Sequence, residues 1–299
     1  MNQQRKWLLG SLVLFVVLMG IATKLDLTLS QRVLNYHSNW ATIGQTVGSF
    51  PLYLVFILSG EIMIASAFRQ SNAWLAGLGL VVGVTLSSLQ LLHFLRESSN
   101  YFGKAMANLQ HGLPVGSPNP VPEQRGSAWG WLLLILWLFL YLVITLLSQW
   151  WLKQQSPQRL QQLLIIAIFA SLTALLALGA NGFLKTIWGR YRPYQVQGQL
   201  SHFTNWYQIN GINGHYSFPS GHTMASTLAL VLGWFVTAKW QRTAWWLGLG
   251  YSILIAVSRL VIGAHFLSDV TFSFFLTATI IYVMKRCLIN CLRSNGAFG

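Results

Sequence analysis

The chain is built from uninterrupted apolar runs, each long enough to cross a hydrocarbon core about 30 Å thick as a helix. Eight are legible, at residues 7–23, 51–68, 74–95, 129–151, 163–184, 220–238, 244–263 and 265–284. Tryptophans stand at many of their ends (Trp7, Trp74, Trp129, Trp150, Trp151 and Trp240), as expected where amphipathic rings settle at the headgroup level. The pattern predicts an all-α protein, a polytopic transmembrane helical bundle of about eight spans. Residues 27–50 are too polar to span and read as an interfacial segment.

Composition agrees. With 54% hydrophobic and 8% charged residues and a mean hydropathy of +0.51, the chain is too apolar for a soluble domain. The cations then orient it. Short segments dense in Lys and Arg belong on the cytoplasmic side. A cytoplasmic N-terminus places Arg5, Lys6, Arg69, Lys153, Arg159, Lys239, Arg242, Lys285, Arg286 and Arg293 there, with both termini inside. The net charge of +14 is accounted for by this topology and by anionic headgroups. Nucleic acid is not implied, because the cations are scattered among membrane loops and form no basic domain.

The first run follows Arg5 and Lys6 and resembles a signal peptide, but residues 20–26 offer no small-x-small cleavage site, so it reads as a retained helix. A proline- and glycine-rich stretch at residues 112–122 reads as a linker. The expected organisation is N-terminal transmembrane helices over 1–95, an extracytoplasmic loop over 96–128 and a catalytic core over 129–299. Cys287 and Cys291 lie in the expected cytoplasmic tail, where they read as thiols outside any disulfide or as sites of reversible acylation.

Three strings in the C-terminal half carry candidate chemistry, all on the expected outer face. The first is Lys185, six residues, then Arg192-Pro193. A helix end and its following loop could aim both cations at one anion, although alone the string reads equally as snorkelling interface cations. Arg190 is a further candidate, but is out of step with Arg192 and reads as facing the headgroups.

The second string is Pro219-Ser220-Gly221-His222. Ser220 suits an N-cap, Gly221 lets a backbone N–H approach an anion, and the positive end of the helix dipole adds to both. His222 on the first turn could act as a general acid, or could be an interfacial histidine on a capped helix.

The third is Ser258-Arg259, five residues, His265, three residues, Asp269. An intramembrane guanidinium calls for an anionic partner. The i, i+4 spacing puts His265 and Asp269 on one helical face, where the carboxylate can hold Nδ1 and leave Nε2 as a nucleophile.

The chain has five carboxylates, Asp26, Glu61, Glu97, Glu123 and Asp269, and only Asp269 is near a string, which argues against a two-metal hydrolytic site. His222 and His265 lack an obvious third zinc ligand, so neither metal nor cofactor is expected. Glu61 and His93 are further ionisable groups within spans. Glu61 is a functional candidate by position, or a hydrogen-bonded acid packed between helices.

The patterns Lys-x6-Arg-Pro, Pro-Ser-Gly-His and Ser-Arg-x5-His-x3-Asp resemble the three signatures of the type-2 phosphatidate phosphatase superfamily, which also includes glucose-6-phosphatases and vanadium haloperoxidases. The resemblance covers roughly residues 163–284. It implies a helical bundle in which Lys185, Arg192 and Arg259 bind phosphoryl oxygens, assisted by Ser220 and the Gly221 amide. It further implies His222 as general acid, His265 as the nucleophile forming a phosphohistidine, and Asp269 as its orienting partner, without metal. The implied substrate is a lipid phosphate or diphosphate: undecaprenyl diphosphate, phosphatidate or phosphatidylglycerol phosphate. The alternatives are a lipid phosphotransferase using the same intermediate and a non-catalytic lipid or phosphate transporter. A haloperoxidase fits the membrane architecture poorly. Typical membrane members have six spans, with the first signature after the third. Here five spans precede Lys185, so either two are added at the N-terminus or one pair is interfacial.

Overall fold

A computed structural model describes residues 3–118 and 127–294. Expectations resting on residues 1–2, 119–126 and 295–299, including Glu123 and part of the linker, and on the Trp7 side chain lie outside the described residues. The described residues form helices α1 (Gln3–Val33), α2 (Asn39–Val47), α3 (Phe50–Ala67), α4 (Ala73–Gln110), α5 (Ser127–Lys153) and α6 (Pro157–Trp188). They continue with α7 (Pro193–Val196), α8 (Gly221–Thr227), α9 (Ala229–Leu232), α10 (Ala238–Val261) and α11 (Leu267–Ser294), with no strand among them.

Among the described residues, seven segments are long and apolar enough to cross a membrane, rather than eight. The difference is the run read at 220–238, which holds only the short apolar helical stretch Gly221–Leu232. At 1.5 Å per residue, such a stretch is only about 18 Å long. Met224, Leu228 and Val231 on it are buried within the protein. Its hydrophobicity therefore serves the core and not contact with lipid.

Two helices outrun their apolar segments. α1 continues past 23 to Val33, and α4, read as ending near Leu95, continues to Gln110. Polarity marks where the hydrocarbon ends, but no proline follows Leu95 before Pro114, and the single Gly103 is tolerated within the helix. Gly103, Ala105, Ala107 and Asn108 on the α4 extension are buried. The segment read as interfacial at 27–50 comprises the end of α1, the capped helix α2 and the start of α3.

The main core joins α3, α6, α8, α9 and α11. In contrast, the most apolar part of α5 is not buried anywhere along its length, so that helix offers its surface to lipid. α3 and α4 cross with backbones in contact. A Cβ on Gly60 would lie 2.6 Å from the Gly83 carbonyl oxygen and 2.8 Å from the Ser87 nitrogen. Close approach of small residues is the usual way helices associate where lipid removes the hydrophobic drive. Gly60→Ala is therefore expected to destabilise the protein by about 1–3 kcal/mol, read as a lower thermal midpoint in detergent. An unchanged midpoint would mean the two helices can part without cost.

Glu61, one residue on, is buried and joined to α5: Thr145 Oγ1 donates to its Oε1 at 2.9 Å and Gln149 Nε2 to its Oε2 at 3.0 Å. This is a packing contact between α3 and α5. At the same end of the bundle as the start of α6, the Arg69 guanidinium donates to the last two carbonyls of α5, at Leu152 and Lys153, and to that of Gln155 in the turn that follows. The three strings meet at the opposite end.

Candidate active site

α6 carries Lys185 in its last turn and stops at Gly189, whose φ of +55° suits a residue without a side chain. A Cβ there would strike the Gly211 carbonyl oxygen and Asn213. The chain then turns through Arg190 to Arg192 and Pro193, which starts α7.

Ser220 caps α8, its Oγ accepting from the Thr223 backbone N–H at 3.3 Å. The same residue ties α8 to α11, since its N–H donates to the Asp269 carbonyl at 3.2 Å and its own carbonyl accepts from Ser273 Oγ at 2.6 Å. A Cβ on Gly221 would lie 3.5 Å from Lys185 Nζ, so the lysine ammonium stands over the start of α8. The first two strings thus converge on one helix N-terminus, where the dipole and free amides favour an anion.

Arg259, in the last turn of α10, is buried, and its Nε and Nη1 have no hydrogen-bond partner. Leaving a buried guanidinium unsatisfied is unfavourable unless an anion completes it. Gly263, with φ +63°, then turns the chain toward His265, and its carbonyl accepts from the Tyr194 N–H at 3.1 Å. That bond links the third string to the segment carrying Arg192.

His265 is buried, with Nδ1 3.5 Å from Asp269 Oδ2, at the outer edge of hydrogen-bonding distance. Asp269 is saturated by other donors. Arg190 Nη1 donates to Oδ1 at 2.6 Å, while Ser217 Oγ and the Phe266 N–H donate to Oδ2 at 2.6 and 2.9 Å. Burial pushes the His265 imidazole down to about 3; the contact with Asp269 opposes this, and Arg192 and Lys185 add to it. A neutral ring with an available lone pair is what a histidine nucleophile requires.

Arg190 corrects the sequence expectation. It does not face headgroups: its side chain is fully buried, donating to Asp269 and Ser268, and through Nη2 to Asp26 on α1 at 3.0 Å. Its Nε donates to the Thr204 carbonyl at 3.0 Å, and its guanidinium lies 4.2 Å from the Phe266 ring centroid. Asp26 in turn accepts from the Ser268 backbone N–H at 2.9 Å and from the Ser268 hydroxyl. α1 is thereby fastened to the start of α11 through a buried ion network.

All eight sequence-selected residues, Lys185, Arg192, Ser220, Gly221, His222, Arg259, His265 and Asp269, stand at this end of the bundle. His222 is buried beside α2 and α4, its Nε2 2.9 Å from the Gln45 carbonyl oxygen and 3.9 Å from Glu97 Oε1. Sequence reasoning missed Asp26, Gln45, Glu97, Tyr101, Ser217 and the inward role of Arg190. Asp26 had a signal, since a carboxylate beside an apolar run needs a partner. Among the described residues, no three His, Cys, Asp or Glu side chains are grouped so as to hold a metal ion.

Residues 162–293 match the family model of the PAP2 superfamily, which takes in α6 through nearly all of α11. No curated protein and no solved structure matches the chain.

Proposed function

We infer from the match over residues 162–293 that the chain is a member of the PAP2 superfamily, and with it a phosphatase. From that premise we propose that it is an integral membrane phosphatase that hydrolyses lipid phosphates or diphosphates through a phosphohistidine. The observation that carries this reading is the pairing of a buried Arg259, whose Nε and Nη1 have no partner, with a buried histidine backed by Asp269.

Lys185, Arg192 and Arg259, with the Ser220–Gly221 helix start, hold the phosphoryl oxygens and neutralise charge that grows in the transition state. His265 Nε2 attacks phosphorus in line as the bond to the lipid oxygen breaks, and His222 gives a proton to that oxygen. His222 then takes a proton from water, which attacks the phosphohistidine, releasing inorganic phosphate and restoring His265. Asp269 keeps the imidazole oriented by closing its 3.5 Å contact with Nδ1 into a hydrogen bond as the ring gains charge.

An apolar cleft of about 310 Å³, lined by Thr46, Leu95, Phe102, Leu132 and Leu136, supports a lipid substrate. Thr46 and Leu95 are close in sequence to Gln45 and Glu97, so hydrocarbon could lodge beside the headgroup. Positive residues at the far end of the bundle, such as Arg69, Lys153 and Arg159, support an extracytoplasmic catalytic face in the plasma membrane.

The test is phosphate release by purified protein in mixed micelles containing EDTA, with phosphatidate, phosphatidylglycerol phosphate, undecaprenyl diphosphate and a soluble ester as substrates. Release is expected to persist in EDTA and to be inhibited by vanadate, which adopts a trigonal-bipyramidal geometry at a nucleophilic histidine. Strict magnesium dependence would overturn the mechanism. Release that needs a lipid acceptor would reassign the protein as a phosphotransferase. Binding without turnover would point to transport.

A further inference from the structure

The PAP2-matching segment contains His222 but none of the groups around its Nε2. These come from the N-terminal helices. The last three carbonyls of α2 are each taken by a side chain from another element. Gln45 O faces His222 Nε2 at 2.9 Å, Thr46 O accepts from Ser98 Oγ at 2.9 Å, and Val47 O accepts from Tyr251 OH at 2.9 Å. Final helical carbonyls lack donors within their own helix, and their partial negative charge favours a cation. Beside them, Glu97 of α4 reaches to 3.9 Å from the same nitrogen. Its other oxygen is fixed by Tyr53 OH at 2.7 Å and Ser49 Oγ at 3.0 Å.

A carbonyl oxygen only accepts hydrogen bonds, so the contact with Gln45 places a proton on His222 Nε2. The nitrogen left for a leaving oxygen is Nδ1. To donate from Nδ1 while Nε2 stays bonded to Gln45, the ring must carry both protons as an imidazolium. Burial, with Arg259 and Lys185 nearby, pushes the His222 ring well below its ordinary value, so an imidazolium there needs a carboxylate, and Asp269 is already committed to Arg190. Glu97 is the acid within reach.

We propose that Glu97, together with the Gln45 carbonyl, is the positioning residue that holds His222 as the doubly protonated acid, so that the N-terminal helices complete the reaction centre. The inference rests on the proposed phosphatase reading. In the first half-reaction, the phosphorus bond to the lipid oxygen breaks as the bond to His265 Nε2 forms. The Nδ1 proton of His222 passes to the lipid oxygen, leaving a neutral ring with Nε2–H still on Gln45. In the second half-reaction Nδ1 recovers a proton from the attacking water.

The charged and titratable groups around His222 are Glu97 and Tyr101 from α4, Tyr53 from α3, Lys185 from α6, Arg259 from α10, and Arg192 and His265 from the adjoining turns. Without the Glu97 charge, those nearest the ring are cationic or neutral. The imidazolium then loses its proton at lower pH, and activity falls earlier as pH rises.

Glu97→Gln tests this, since the amide oxygen can still accept from Ser49 and Tyr53. Ring titration by NMR of the full-length protein with labelled histidine, assigned against His222→Ala, is expected to show the His222 transition about one pH unit lower in the variant. An unchanged transition overturns the inference, whatever the activity. A kinetic arm compares a lipid phosphate, whose alkoxide must be protonated to leave, with a nitrophenyl phosphate, whose leaving group departs without a proton. The variant is expected to lose at least about tenfold on the first and less than about twofold on the second. Equal losses on both would mark Glu97 as merely structural. If the wild type releases phosphate and the release survives His265→Ala, it is the phosphohistidine reading that fails, and the NMR result still decides the role of Glu97.

Discussion

His265→Ala is expected to lower phosphate release by at least about 10³-fold, because without the nucleophile only binding and electrostatic stabilisation remain. The fold should survive. His265 Nδ1 makes no hydrogen bond, and its contact with Asp269 is long, so the ring contributes packing and little else to the scaffold. The thermal midpoint in detergent is expected to shift by only a few degrees. Rapid quenching of wild type with a radiolabelled substrate should trap label on protein in an acid-labile, alkali-stable linkage, and the variant should trap none. Undiminished turnover in the variant would remove His265 from the mechanism.

Arg190→Met should do the reverse, damaging the fold before the chemistry. The arginine balances Asp26 and Asp269, and all three side chains are at most 1% exposed. Removing it leaves two buried carboxylates without a counter-charge. Breaking one side of a buried ion pair typically destabilises by about 3–5 kcal/mol, so a large drop in thermal midpoint is expected. Adding Asp26→Asn to Arg190→Met should recover part of the loss, because one orphaned charge disappears. Additive losses in the double variant would show that Asp26 and Arg190 are energetically independent despite their 3.0 Å contact.

These two neighbours in space show what the sequence made legible. His265, Asp269, Arg259, His222, Ser220, Gly221, Lys185 and Arg192 fall within three strings, and local rules of capping, helical spacing and buried charge suffice to single them out. Arg190 lies inside the first string, yet reading its direction from alternation failed, because the chain leaves the helix at Gly189 and periodicity no longer applies. Its partner Asp26 is 164 residues away, a pairing that no local rule can find. Glu97 was hidden for another reason. The apolar run of α4 stops near Leu95, and equating the end of hydrophobicity with the end of the helix turned the following residues into a loop. The same confusion of lipid with core made a span out of the short helices α8 and α9. Hydropathy reports that a segment avoids water, and is silent about whether lipid or protein takes water's place.

Arg259 gives the resting protein an unresolved tension. Two of its guanidinium nitrogens are enclosed without acceptors, so a phosphoryl oxygen placed against them would satisfy donors that the fold itself leaves unpaired. Natural sequences tolerate such local frustration where function demands it, and the remainder of the fold must be rigid enough to keep the side chain from collapsing onto a substitute partner. Asp269 is engaged elsewhere, accepting from Arg190, Ser217 and the Phe266 amide. On the proposed reading, the buried network commits Asp269 to Arg190, so that this carboxylate does not compete with a phosphoryl group for the cations around it.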